Sequence, residues 1–169
     1  AVIESLTIAG YACGAEKGYI YIRGEYPEAT ARLQNAIDRS RAVGYLGPNI
    51  LSSGFNFDIE IRRGAGAYIC GEETALLESI EGKRGEPRNK PPFPVTFGLF
   101  GKPTAINNVE TLVNVLPILN QGSQSYATIG TPDSTGTRLF CLSGCIERPG
   151  VYEIPYGKTV GGLIDMAGG

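Results

Sequence analysis

The chain has 169 residues with 15 basic and 17 acidic side chains, which give a net charge of −2. This length suits one domain, or one domain with a small module, and the lack of a basic surplus argues against nucleic-acid binding. The apolar runs are short and interrupted, so we expect no membrane span and no direct membrane insertion. Histidine is absent, which excludes His-based triads and His metal sites and leaves carboxylates, Lys, Tyr, Cys or a cofactor for any chemistry.

The first part of the chain predicts a βαβ unit. One helix is predicted to end at Gly14, and the alternating Tyr- and Ile-rich run that follows over 17–26 predicts a strand. A second helix is predicted from Pro27 to Gly44, and alternating Phe and Ile over 55–61 predict a second strand. A strand, a helix and a strand within about 45 residues require parallel strands and a right-handed crossover. The fold class predicted for this part is therefore α/β.

A glycine-rich loop, GAGAYICG, directly follows the second predicted strand at 64–71. Closely spaced glycines allow positive φ and close ligand approach, and ligands of open α/β sheets bind beyond the carboxyl ends of strands. The loop lacks a P-loop lysine and the usual dinucleotide spacing, so tight strand–helix packing explains it equally well. Glu72 and Glu73 open a predicted helix that ends at Gly82. On the residues alone, acids that match the helix dipole are their simplest explanation.

The segment 83–105 contains five prolines and is predicted to be irregular. Such a stretch is typical of a functional or a disordered segment. Lys90 and Phe93 offer a cation and an aromatic face, which suit a nucleotide but also suit any exposed loop. A single helix is predicted to follow, with Asn107 or Asn108 as its N-cap. Because one cap needs one Asn, the other is available to face a ligand.

The last part of the chain changes in character. Two strand-like runs flank the turn ERPG and a short helix follows, which predicts a small β-rich module behind a linker at 130–136. We therefore expect a partial α/β domain over 1–130 and a truncated module over 136–169. Both ends of the chain read as cut from a longer protein.

Four cysteines are present: Cys13, Cys70, Cys141 and Cys145. Cys141 and Cys145 would share one face of a strand if that strand ran unbroken. Neither a second pair nor a histidine is available to complete a tetrahedral metal site. We therefore expect buried free thiols in a reducing cytosol and no metal site.

Three segments together are far more specific than any one motif: GAGAYICGEETALLESIEGKRGEPRNKPPFP, GLFGKPTAINNVETL and RPGVYEIPYG. They resemble the NADH-binding flavoprotein subunit of bacterial respiratory complex I (NADH:quinone oxidoreductase). The related diaphorase subunits of NAD(P)-linked hydrogenases and formate dehydrogenases share them. The resemblance covers nearly the whole chain. It implies a partial FMN-binding α/β core followed by the start of a soluble-ligand-binding, β-grasp-like domain.

The resemblance also implies which residues hold the cofactors. Those for FMN are Gly64, Gly66, Tyr68, Gly71, Glu72, Glu73, Asn107, Asn108 and Thr111. Those for NADH are Glu73, Lys90 and Phe93. No residue is assigned a catalytic role, because the cofactors carry the hydride transfer and the protein positions them. The acids at the helix start would then accept hydrogen bonds from hydroxyl and amide donors of the nucleotide.

The implied parent protein transfers hydride from NADH to FMN and passes electrons to iron–sulfur clusters. It would be a peripheral, cytoplasmic subunit of a multisubunit redox complex, beside a small iron–sulfur subunit. The family's first glycine-rich FMN segment would precede Ala1, and the cysteines of its 4Fe-4S cluster would follow Gly169. We therefore expect this fragment to hold about half of the flavin site, to bind FMN weakly or not at all, and to be inactive alone.

Three alternative functions are also consistent with the residues. One is a non-catalytic docking module of a multisubunit redox complex. The second is a hydrogenase or formate-dehydrogenase diaphorase that works towards NAD(P)+ reduction. The third is an unrelated nucleotide- or cobalamin-type binder, which would place its ligand at 148–156 rather than at the glycine loop.

Overall fold

Helices and strands alternate through the first part of the computed structural model, which describes residues 1–169. In chain order the elements are α1 (Val2–Cys13), β1 (Lys17–Ile22), α2 (Pro27–Ala42), β2 (Gly47–Ile50), β3 (Phe55–Arg63), α3 (Glu73–Ile80), α4 (Val109–Val113), α5 (Val115–Gln121), α6 (Ser123–Ala127), β4 (Gly130–Thr131), β5 (Ser134–Thr135), β6 (Thr137–Leu142), β7 (Gly150–Pro155) and α7 (Val160–Met166). Two short 3₁₀ helices lie at Tyr68–Gly71 and Leu99–Gly101. The chain forms two units, Ala1–Leu112 and Val113–Gly169.

The first unit contains a three-stranded sheet in the order β1-β3-β2. β1 and β3 pair in parallel, with Gly18 opposite Ile59, and α2 lies between them in the chain. The predicted parallel βαβ unit is therefore confirmed. β2 was not predicted, since Gly47–Ile50 contains Gly, Pro and Asn, which are depleted in strands. It pairs antiparallel with β3 through a register shift.

The core of the first unit lies between the sheet, α1 and α2. Its buried residues are Ile20, Ile37, Leu46, Ile50, Phe57 and Ile59. Burial of each such side chain contributes about 1.5–3 kcal/mol. α1 lies very close to the sheet, because a Cβ at Gly10 would be only 2.4 Å from the Phe57 ring. Gly14 ends α1 in the left-handed conformation with φ 67°, as the predicted helix end requires.

The predicted single helix after Asn108 is wrong in one respect, because it is divided into α4 and α5. Pro117 explains the break. It has no N–H to donate, and its ring conflicts with the carbonyl of Val113, four residues earlier and the last residue of α4. The Asn114 residue between the two helices retains a helical backbone with φ −67° and ψ −14°.

The second unit contains the antiparallel hairpin β6–β7, in which Leu142 pairs with Gly150, followed by α7. The two predicted strands around ERPG and the short helix after them are confirmed. Residues predicted as a linker, 130–136, contain the short strands β4 and β5. The predicted domain bounds 1–130 and 136–169 stay predictions.

The condition for a shared strand face of Cys141 and Cys145 is not met, and the expectation of buried thiols is wrong for three of the four cysteines. β6 ends at Leu142, so Cys145 does not share a strand face with Cys141. Gly144, between the two cysteines, lies outside any strand and has φ 105°, a conformation that favours glycine. Of the four free thiols only Cys70 is buried. A two-stranded ribbon such as β6–β7 covers little of its own surface, which explains why Cys141 is exposed.

No helix of the structure combines the length and the apolar content that a membrane crossing requires.

Candidate functional site

The glycine loop begins where β3 ends, at the carboxyl end of the parallel β1–β3 pair. Gly64 is required by packing, because a Cβ there would lie 2.6 Å from the Tyr21 hydroxyl. Gly24, just after β1, is equally crowded: its Cβ would lie 2.6 Å from the carbonyl oxygen of Gly64. Gly66 has φ +85°, which favours glycine. The glycines in the first half of the loop are therefore explained by tight strand–loop packing at Gly64 and by backbone conformation at Gly66.

Gly71, at the end of the loop, is different. A Cβ built on it would meet no atom within 4 Å, and its φ lies outside the left-handed region. Neither crowding by the protein nor backbone conformation therefore requires glycine at this position. Tyr68 in the same 3₁₀ turn is 94% exposed. The end of the loop thus presents an open backbone face and a free aromatic ring, which suit the approach of a flat ligand.

Glu72 is the N-cap of α3. Its Oε2 accepts hydrogen bonds from the backbone N–H of Thr74 and of Ala75, both at 2.9 Å, and from the Thr74 hydroxyl at 2.5 Å. The hydroxyl of Thr74 is the largest influence, and with the backbone of Ala75 and the Lys90 ammonium it lowers the pKa of Glu72 to about 2, against the opposing effect of burial. The carboxylate is therefore ionised at neutral pH.

Lys90 lies between the two glutamates that open α3. Its Nζ is 3.0 Å from Glu72 Oε1 and 2.5 Å from Glu73 Oε1. Hydrogen bonds to Glu73 and then to Glu72 raise the pKa of Lys90. These three charged groups, the Glu–Lys–Glu cluster, carry a net charge of −1. Glu73 is the more accessible acid, with 41% of its side chain exposed. The structure thus brings together three residues that the sequence predicted separately.

Thr74 and Arg88 also belong to this region, although sequence reasoning missed both. Thr74 is 1% exposed, and its Oγ1 accepts a hydrogen bond from the Arg88 backbone N–H at 2.8 Å. The Arg88 guanidinium pairs with Glu78 and, at 2.9 Å, with Glu81, and it donates to the Gly98 carbonyl at 3.2 Å. The proline-rich segment is thereby held along α3. The sequence signal for the Arg88 contact was the pair Glu78 and Glu81, two acids three residues apart on one helix face.

Glu81 anchors the other end of α3. Burial by itself would raise the pKa of its carboxyl, but hydrogen bonds from Lys83, Arg88 and the Phe100 backbone outweigh that effect and lower the pKa to about 2. Only 8% of the side chain is exposed. The sequence did not predict these partners of Glu81.

The second predicted contact stretch lies beside α3. Asn108 is the N-cap of α4, since its Oδ1 accepts the Glu110 backbone N–H at 2.8 Å. Asn107 is exposed and lines a cavity of about 220 Å³, together with Leu76 of α3. Thr111 is exposed too. Of the two adjacent asparagines, Asn108 thus caps α4 and Asn107 is exposed at the cavity.

Comparison with known proteins places this geometry in context. Residues 1–117 match the family model described as the Nuo51 FMN-binding domain. The chain belongs to this family. It is 54% identical over 169 residues to an NADH-quinone oxidoreductase subunit of Aquifex aeolicus, covering 99% of the chain and 40% of that relative. It is 52% identical to the NADP-reducing hydrogenase subunit HndC of Solidesulfovibrio fructosivorans, covering 99% of the chain and 34% of that relative.

A solved structure also resembles this member of the Nuo51 family. One chain in the crystal structure of an NAD+-reducing [NiFe]-hydrogenase in its H2-reduced state matches with a TM-score of 0.88 and 43% identity, over 99% of this chain and 28% of that chain. The family resemblance and the α/β class predicted from sequence are confirmed. The chain spans about two fifths of the length of these curated relatives, or less.

The side chains of this Nuo51 family member do not fit an iron–sulfur cluster. The structure contains no group of three Cys, Asp or Glu side chains that could hold a metal ion. Its four cysteines are free thiols spread over both units. The end of the glycine loop does suit the approach of a flavin, because the face at Gly71 is open and the Tyr68 ring beside it is exposed.

Proposed function

We propose that the chain is a fragment of a flavoprotein subunit that transfers hydride from NADH to FMN, and that its share of both cofactor sites surrounds the start of α3. The observation that carries this proposal is the open face of Gly71 directly beside the Glu–Lys–Glu cluster. This pairing lies beyond the carboxyl end of a parallel strand pair, where α/β folds bind ligands. Membership of the Nuo51 FMN-binding family supports it.

The FMN site is proposed to use the loop and the Asn stretch. Its residues are Gly64, Gly66, Tyr68, Gly71, Glu72, Glu73, Asn107, Asn108 and Thr111. Gly71 offers close approach and Tyr68 an aromatic ring, whereas Gly64 and Gly66 act by shaping the loop. When bound, FMN supplies the capacity to accept a hydride and to release its electrons one at a time.

The NADH site is proposed to use Glu73, Lys90 and Phe93. The Glu73 carboxylate binds Lys90 through one oxygen and is exposed enough to accept hydrogen bonds from nucleotide hydroxyls. Phe93 is 54% exposed and presents an aromatic surface for a planar ring. Because Lys90 is bound to both glutamates, these side chains are ordered before a nucleotide arrives. Preorganised contacts of this kind reduce the entropic cost of bringing two rings together.

The rest of the parent protein is inferred from its relatives. We propose a peripheral, cytoplasmic subunit of a multisubunit redox complex that delivers electrons to iron–sulfur clusters and contacts a small iron–sulfur subunit. The 4Fe-4S ligands are proposed to lie in parts of the parent other than residues 1–169. Residues 136–169 are proposed to begin a β-grasp-like domain. The hairpin β6–β7 followed by α7 supports this, since a β-grasp fold packs a helix on such a sheet.

A second candidate is supported by specific matches. The chain is 52% identical to an NADP-reducing hydrogenase subunit and 43% identical to a chain of an NAD+-reducing hydrogenase. A diaphorase of this kind would use the same residues in the reverse direction, for NAD(P)+ reduction. Steady-state rates of the full-length subunit with NADH and with NAD(P)+ would distinguish the two directions.

The test is a titration of the chain into FMN, followed by flavin fluorescence, with NADH–ferricyanide reduction assayed on the same sample. We expect little or no quenching and no turnover from residues 1–169. A chain of the relatives' full length should show both. If the full-length chain neither retains FMN nor reduces ferricyanide, the proposed function is wrong. Quenching with turnover from residues 1–169 alone would instead show that the site is complete within them.

A further inference from the structure

Thr74 lies at the point where α3, the glutamate cap and the proline-rich segment meet. It is one of only two polar residues buried in the structure, and it is not among the proposed cofactor contacts. Its side chain contacts Glu72 on one side and the backbone of Arg88, fourteen residues away in the chain, on the other. A buried hydroxyl with two polar partners on different segments is well placed to fix one segment relative to the other.

The direction of both hydrogen bonds follows from their chemistry. The Arg88 backbone N–H can only donate, so Thr74 Oγ1 accepts at 2.8 Å. The Glu72 carboxylate can only accept, so the single hydroxyl proton of Thr74 points to Glu72 Oε2 at 2.5 Å. The Thr74 hydroxyl thus donates its proton to the Glu72 carboxylate, and its oxygen accepts the backbone N–H of Arg88 in the proline-rich segment.

The same carboxylate continues the connection. Glu72 Oε1 is 3.0 Å from Lys90 Nζ, and that ammonium group also binds Glu73. Lys90 lies two residues after Arg88, so the hydrogen bond from the Arg88 N–H to Thr74 restrains the backbone near Lys90. Through Glu72, Thr74 also restrains the Lys90 ammonium group. Both ends of this short connection therefore depend on one hydroxyl.

We propose that Thr74 is a positioning residue for the NADH site: its hydroxyl links Glu72 to the Arg88 backbone and so fixes Lys90 between Glu72 and Glu73. This inference rests on the proposed function. Thr74 itself does not contact the nucleotide. Its effect reaches the substrate only through Lys90 and Glu73.

A purely structural role as part of the helix cap is a distinct alternative. The backbone N–H groups of Thr74 and Ala75 already donate to Glu72 Oε2, so α3 keeps its cap without the hydroxyl. What only the hydroxyl provides is the link between the Glu72 carboxylate and the Arg88 backbone. Thr74→Val keeps the β-branched shape and removes both hydroxyl hydrogen bonds, whereas Thr74→Ser keeps the hydroxyl.

The experiment compares Thr74→Val and Thr74→Ser in the FMN-loaded, full-length subunit. We expect Thr74→Val to raise the KM for NADH about tenfold, as for loss of one charge-assisted hydrogen bond, with kcat changed less than about twofold. Hydrogen exchange at the Arg88 amide should become faster in Thr74→Val, while amides within α3 keep their protection. Thr74→Ser should restore both readouts to wild-type values.

Thr30→Val is the matched control, because Thr30 also lies in the first turn of a helix and donates its hydroxyl to a backbone carbonyl, that of Tyr26. It should change neither the KM nor the exchange at Arg88. If Thr74→Val does not fold, the pair Thr74→Ser and Thr74→Ala carries the same comparison. An unchanged KM in Thr74→Val, wild-type exchange at Arg88 in Thr74→Val, or equal damage in Thr74→Ser would each overturn the proposal. A wild-type subunit that does not bind NADH would refute the proposed function instead, and the Arg88 exchange would still report on the link itself.

Discussion

The Phe100 backbone N–H donates a hydrogen bond to Glu81 Oε1 at 2.8 Å, although the two residues are nineteen positions apart. Phe100 adopts a left-handed backbone with φ 51°, which is uncommon for an aromatic residue. Glu81 also binds Lys83 at 2.7 Å and Arg88 at 2.9 Å. One nearly buried carboxylate therefore holds three parts of the proline-rich segment to the end of α3.

Replacement of Glu81 by Gln should destabilise the chain by about 1–3 kcal/mol. The neutral amide cannot accept from Lys83 and Arg88 at both of its heavy atoms, and its NH2 group would face these cations. Thermal or urea unfolding measures the change. Glu86→Gln is the control, because Glu86 is 65% exposed and pairs only with the exposed Arg84. It should cost less than about 0.5 kcal/mol. Equal losses in the two variants would contradict the anchoring role of Glu81.

Stability should fall in acid because of Glu72. Its folded-state pKa is about 2, below the ordinary Glu value of 4.5, so the group contributes stability that is fully present above pH 4.5. That contribution is lost as the pH falls from 4.5 towards 2. We expect Glu72→Gln to be less stable than wild type at pH 7, on the order of 1–2 kcal/mol after screening, and about equal at pH 2. Urea unfolding at four pH values tests this. A difference that does not vary with pH would argue against ionised Glu72 as the cap.

Gly71→Val should abolish flavin retention in the full-length subunit and leave the fold intact. The added side chain meets no protein atom but would occupy the face proposed for FMN. The visible flavin spectrum after desalting measures retention, and the melting temperature should stay within about 3 °C of wild type. Gly64→Ala is the contrasting variant: its added Cβ would collide with Tyr21, so we expect it to lower the melting temperature. A yellow, fully loaded Gly71→Val protein would show that FMN does not use this face.

Glu73→Gln in the full-length subunit should weaken NADH affinity or turnover by about one to two orders of magnitude. The substitution removes a charged acceptor and also loosens Lys90. Steady-state NADH–ferricyanide kinetics provide the measurement. Glu28→Gln removes a similar glutamate–cation pair, with Arg32, at an exposed position of α2 and should leave the kinetics unchanged. Wild-type NADH kinetics in Glu73→Gln would remove Glu73 from the substrate site.

Local signals explain the parts of the fold that were predictable. Alternating Phe and Ile mark β3, and Pro27 and Gly14 mark helix ends, because these residues act on their own backbone. β2 was missed because its pairing with β3, not its composition, makes it a strand. The break between α4 and α5 also has a local signal, Pro117, which the single predicted helix did not take into account.

The candidate site was predictable only in pieces. Glu72, Glu73 and Lys90 were each singled out, but their meeting depends on the irregular segment that follows α3, whose path no periodic pattern specifies. Thr74 and Arg88 were not predicted as part of the site for a related reason. The role of the buried Thr74 hydroxyl comes from tertiary contacts alone, and two acids on one helix face indicate a cation without identifying it as Arg88.

The double attachment of the proline-rich segment, at Lys90 near the start of α3 and at Phe100 near its end, has a consequence for proteolysis. A stretch without regular secondary structure is ordinarily an early site of cleavage. Here Arg84, with 88% of its side chain exposed, is open to trypsin, whereas Arg88, with 23%, is bound to α3. Trypsin should therefore cut after Arg84 well before Arg88. The remainder of the segment should be degraded only when α3 itself unfolds.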